Sequence, residues 1–305
     1  VTDETADDRD ANEPDGPAIL PPLDTRRLHL VLLSIAALAA LVLAGSLFLQ
    51  ARDAVPAPTQ PPAAAAAHVT TLPATTTDGQ HAEAVLAARQ AAEAAIAATP
   101  AYQHFFTRLK ALFPGDYDAI LDRLATRGAS GATGGPDLWI TEAVHRLRTS
   151  HGVLAAKAEG PALTRVFDAQ LAMMRALGGS DVHLCVDFLY GTPSPDFYKF
   201  AGDHRPLVAD MALAGLDAID DGRLKHVERP PPTDADFAQL ESLLTGRGLA
   251  KPEIDAILDG KPATPPIEEG RMCAIGQTYL EALAALPEPA RLRIYGLAVE
   301  LMARS

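Results

Sequence analysis

The sequence predicts an all-α chain: a single N-terminal transmembrane helix, a disordered linker, then an irregular multi-helix globular domain. Three observations lead there. Ala and Leu are abundant while aromatics make up only 5 %, and those two side chains lose least on entering a helix. Runs rich in Val, Ile, Thr and Tyr, the mark of strands, are nearly absent. Near the start, one long stretch, Leu30 to Leu49, carries no charge.

That stretch sets the layout. About 20 residues at about 1.5 Å of rise cover about 30 Å, the hydrocarbon thickness of a bilayer. Only Ser34, Gly45 and Ser46 interrupt it mildly. Residues 28–50 are therefore expected to form a transmembrane helix. The run exceeds the apolar core of a signal peptide, about 7–15 residues, and follows a long acidic region, so it is expected to remain as an anchor. Arg26 and Arg27 precede it and only Arg52 follows closely. By the positive-inside rule the N-terminus is cytoplasmic and the bulk of the chain exported. The expected location is a bacterial inner membrane, with the C-terminal domain periplasmic.

Residues 1–27 form an acidic tail, from Asp3 to Asp24, broken by Pro14, Pro17, Pro21 and Pro22. Such a segment buries too little apolar surface to offset the entropy of ordering, so disorder is expected. Residues 51–80 are rich in Pro, Ala and Thr, which suits an extended tether.

From His81 the pattern turns helical and runs to residue 305. Val85, Ala88, Ala92 and Ile96 recur near helical spacing, and Pro100 ends the segment. Phe105, Phe106, Leu109, Leu112 and Phe113 share a face before the break at Pro114-Gly115. Tyr117, Ile120, Leu121 and Leu124 follow, with Gly128 as a stop. Pro136 opens a helix carrying Trp139, Ala143 and Leu147. Leu163, Val166, Phe167, Leu171, Met174 and Leu177 mark the next, where Met173 and Met174 suit gap-filling. Residues 181–191 read as a short helix and 192–206 as a loop. A helix over 207–222 is expected to end at Asp220-Asp221-Gly222. The Pro-rich connector 226–233 is the one candidate internal boundary. Beyond it, Thr233 and Asp236 have capping-box spacing, and Pro287 and Pro289 suit the start of the last helix.

A net charge of −13 argues against nucleic acid as a partner, since phosphate binding needs a basic surface. Two cysteines, Cys185 and Cys273, allow one pairing. Both have apolar neighbours, and an exported domain would oxidise them. Closing so long a loop would stabilise the domain by about 4–5 kcal/mol in the chain-entropy model. The alternative is two buried thiols in a cytosolic domain of inverted topology.

Candidate chemistry is sparse. Glu142 and His145 form E-x-x-H, but a di-iron bundle needs a second such motif, and none occurs. No metal or other cofactor is expected. His183 and Asp187 stand four apart, which would share a helical face and suit an oriented imidazole. Phe197, Tyr198, Phe200, Asp203, His204 and Arg205 form the densest mixture of aromatic and polar side chains. On a loop held by a rigid scaffold they are the first-choice binding residues. No catalytic residue is assigned. The expected role is a non-enzymatic binding or assembly factor of the cell envelope, integral to the membrane by one span, with an envelope protein as partner. The alternative is a membrane-anchored envelope hydrolase using His183, Asp187, Asp203 and His204.

Overall fold

Proline in the first turn, where its missing N–H costs nothing, opens most of the helices. The computed structural model describes residues 75–304, apart from 132, 133, 192 and 193. The tail, the apolar stretch 28–50 and most of the linker lie outside the described residues. Among those described there are twelve helices and no strand. They are α1 (Thr75–Ala97), α2 (Pro100–Leu112), α3 (Pro114–Ala129), α4 (Pro136–Ala155), α5 (Gly160–Ser180) and α6 (Val182–Tyr190). Then come α7 (Pro195–Asp203), α8 (Arg205–Lys225), α9 (Asp234–Gly246), α10 (Lys251–Asp259), α11 (Glu269–Ala284) and α12 (Glu288–Arg304). No described helix is long and apolar enough to cross a membrane.

Helix α8 runs through the middle, against α4, α5 and α2. Its inner face is largely alanine, with Ala209, Ala212 and Ala218 buried beside Leu216 and Ile219. Small side chains let neighbouring helices approach closely, and the larger residues of α2, α4 and α5 fill the remaining space. Leu163 and Leu177 of α5 are fully buried, each worth about 1.5–3 kcal/mol relative to exposure. Met173 and Met174 are buried too, in the core role their flexibility suits. Helix α12 crosses α4 and α5, α11 packs on α5 and α6, and α1 lies along α3. The helices on both sides of 226–233 thus share one buried cluster.

Several elements differ from the sequence reading. Helix α1 begins at Thr75, inside the stretch read as linker. Within the stretch read as a loop, residues 195–203 form α7: Ser194 caps it by accepting the Asp196 N–H, and Pro195 sits at its first turn. Helix α8 passes through Gly222 to Lys225. That glycine is a contact, not a terminator. A Cβ there would lie 2.8 Å from the Leu154 carbonyl carbon and 3.0 Å from the Ala158 nitrogen, inside the backbone at the end of α4.

The same corner holds the connector in place. Val227 N–H donates to the Lys157 carbonyl at 2.8 Å. Arg229 donates to the carbonyls of Ala156, at 3.0 Å, and Ala158. Carbonyls at a helix end lack intrahelical donors, so this guanidinium caps α4 from a distant part of the chain. Further on, Thr233 and Asp236 complete the capping box at the start of α9.

Cys185 on α6 and Cys273 on α11 are both buried, with their sulfurs 2.01 Å apart, at disulfide-bonding distance. The pair joins helices 88 positions apart in sequence. Gly178 of α5 makes the space: a Cβ there would meet the Cys273 Sγ at 2.8 Å.

Candidate functional site

The expected binding residues 197–205 divide between support and surface once α7 and the start of α8 are in place. Arg205 grips Asp137, the second residue of α4, with Nε and Nη2 donating to its two carboxylate oxygens at 2.8 Å each. The fully buried Tyr102 donates its hydroxyl to the same carboxylate at 2.7 Å. Arg205, then burial opposed, holds the Asp137 carboxyl below its usual range, while burial and Asp137 push the Tyr102 hydroxyl up. One carboxylate near a helix N-terminus, where negative charge is favoured, therefore ties α2, α4 and α8 together. Phe200 is buried and stacks on the His204 ring at 4.0 Å between centroids. The His204 Nδ1–H donates to the Phe200 carbonyl at 3.0 Å. Arg205, Phe200 and His204 are thus occupied internally, and Phe197 packs against the core. Asp203 is exposed, and Tyr198 presents its ring outward at 38 % exposure.

A cleft elsewhere in the domain has no direct sign in the sequence. Helices α1 and α3 and the start of α4 enclose an open cleft of about 460 Å³. Ala88 and Ala92 line one wall, Leu124 and Gly128 the floor, and Leu138 and Trp139 the other wall. A Cβ on Gly128 would meet the Ala88 Cβ at 3.3 Å, so small groups face each other at this point of the α1–α3 contact. Arg127 also lines the cleft and donates to Glu142. Burial, then the negative charge of Glu142, raise the Tyr198 hydroxyl above its ordinary value. Methyl groups, an indole and an ion pair suit the burial of an apolar side chain from a ligand. They offer no arrangement for proton transfer.

The E-x-x-H pair of α4 is also resolved. Glu142 takes Arg127, and the His145 ring faces Arg148 across 3.4 Å. Among the described residues no group of three or more His, Cys, Asp or Glu could hold a metal ion.

The other candidate pair stands on α6. His183 Nδ1 donates to Glu269 of α11 at 2.9 Å, and its Nε2 is 3.7 Å from Asp187, one turn on. Glu269, then Asp187, raise the His183 pKa, although the ring is 62 % exposed. The expected sharing of a face by His183 and Asp187 is therefore observed. Helix α6 packs on α5 and α11, whereas α7 packs on α4 and α8. His183 and Asp187 accordingly face one set of neighbours, and Asp203 and His204 another.

Comparison with protein-family models, with characterised proteins and with solved structures finds no match to this chain.

Proposed function

We propose that this is a single-pass inner-membrane protein whose periplasmic helical domain acts as a non-enzymatic binding or assembly factor of the cell envelope. The observation that carries the reading is the buried Cys185–Cys273 pair at bonding distance. Such bonds form and persist in oxidising compartments, the periplasm among them. Residues 28–50 supply an apolar run long enough to span a bilayer, so anchor and export belong to one arrangement. The Trp139 cleft supports binding: its walls are apolar and include a half-buried indole, and aromatic rings at a surface are the usual anchors of protein contacts. An envelope hydrolase built on His183, Asp187, Asp203 and His204 would need the four side chains to converge. Their neighbours on α11 and α5 in one case, α4 and α8 in the other, favour binding instead.

In spheroplasts of cells making the full chain, external protease should degrade the domain and leave an epitope on residues 1–27 protected. A photo-crosslinking side chain at position 91, an exposed residue of the cleft lining, should trap a partner in intact cells, and Trp139→Ala should reduce that adduct by about tenfold, the loss typical of an interface anchor. A protected domain would overturn the topology. An adduct equal in both backgrounds, or none, would overturn the cleft as the binding face.

A further inference from the structure

The Trp139 cleft carries no free charge, and neither does the stretch of chain that leads to it. Its charged lining residue, Arg127, is taken up by Glu142. Trp139 is the chain's single tryptophan, and among the described residues no acceptor takes its indole N–H. Glycine at position 134 leaves that donor uncovered, since a Cβ there would stand 3.3 Å from Nε1. An aromatic face with a free donor beside it suits a polyproline II segment. Proline rings pack on the face, and carbonyls with no internal hydrogen bonds accept from the donor. Residues 54–62, AVPAPTQPP, hold Pro56, Pro58, Pro61 and Pro62 and no charge.

We propose that the tether docks on its own domain: residues 54–62 turn back along α1 and occupy the Trp139 cleft, so that a partner must displace them. The inference rests on the cleft being a binding face and adds how access to it is controlled. The reach is sufficient. Helix α1 starts at Thr75 and lines the cleft with Ala88, Ala91, Ala92 and Ala95. At about 1.5 Å per residue, Ala92 lies about 25 Å along the helix from Thr75. The 12 residues between Pro62 and Thr75 span up to about 37 Å at about 3.1 Å each. A short tether presents its segment at about millimolar effective concentration, so docking in cis needs only a weak intrinsic affinity. The neutral cleft and the neutral segment lose no hydrated charge on meeting, which a charged peptide would.

Because the chain has one tryptophan, its fluorescence reports on the cleft alone. The test measures acrylamide quenching of Trp139 in the full chain in detergent, for the parent and two variants. Pro56→Ser, Pro58→Ser, Pro61→Ser and Pro62→Ser combined remove the proline rings. Deletion of residues 63–72 keeps the prolines but leaves two residues, about 6 Å of chain, to cover about 25 Å. Both changes lie outside the described helices. Quenching should rise in both variants to the same level. A dye-labelled peptide of residues 54–62 should bind the proline-free variant about tenfold more tightly than the parent, whose tether competes at about millimolar effective concentration. Equal quenching in the parent and the variants overturns the proposal, as does equal or absent peptide binding. Neither measurement contains a partner, so the adduct at position 91 in cells tests the binding face separately.

Discussion

Gly222→Ala should lower the unfolding free energy by about 3 kcal/mol or more, the upper range for overpacking. The added methyl would enter the Leu154 carbonyl group at the end of α4. No side-chain rotation can relieve a clash with backbone. Either α4 or α8 must shift, and both pack at the centre of the domain, so the loss spreads to α5 and α12. The control lies on the same helix. Gly215 has nothing within 4 Å of a built Cβ, and Gly215→Ala should be stabilising by about 0.5–1 kcal/mol through helix propensity alone. Urea unfolding of the two variants, followed by circular dichroism, checks the pair. Equal midpoints would mean that the two helices are not in contact at Gly222.

Asp236→Ala should cost about 2–3 kcal/mol, as charged hydrogen bonds and a helix cap are lost together. This carboxylate is only 5 % exposed. It accepts from Arg293 Nη2 at 2.5 Å and Nε at 2.9 Å, and from the Thr233 backbone N–H at 2.7 Å. The variant therefore leaves Arg293 uncompensated and also removes half of the α9 capping box, so α9 and α12 lose their join. The Arg293 guanidinium, then the Thr233 hydrogen bonds, bring the Asp236 pKa from 3.8 down to about 2. A carboxyl whose folded pKa lies below its unfolded value contributes stability that is fully present above about pH 4. That contribution is lost as pH falls through about 2. Stability measured between pH 5 and pH 2 should therefore fall less steeply in Asp236→Ala than in the parent. Parallel slopes would show that the carboxylate does not titrate with the fold.

The helical character of the domain was legible because its signals are local. Pro136 opens a helix as read. Pro100 and Pro114, read as ends of the preceding segments, also sit in first turns where a missing N–H is tolerated, and Thr233 with Asp236 caps as its spacing suggests. The cysteine pairing was legible by elimination, since two cysteines allow one bond. Helix α7 falls in the stretch read as a loop, although Ser194 supplies its cap and Pro195 its first turn. Gly222 was misread because a glycine that ends a helix and one that admits a neighbouring backbone look alike in sequence. The binding residues show the same limit. Composition singled out 197–205, but nothing local says that Phe200 turns inward, that Arg205 is taken up by Asp137, or that Tyr198 turns out. The Trp139 cleft depends on how α1 meets α3 and α4, and an alanine row reads equally well as a packed face or an open one.

The membrane-tethered, exported arrangement stands or falls with the oxidation state of Cys185 and Cys273 in living cells. Thiols would be trapped by alkylation at the moment of lysis under denaturing conditions, and the full chain digested without reductant for mass spectrometry. The expected product is one linked peptide containing Cys185 and Cys273, with neither alkylated. Recovery of both residues as alkylated, separate peptides would place the domain in a reducing compartment and contradict the account.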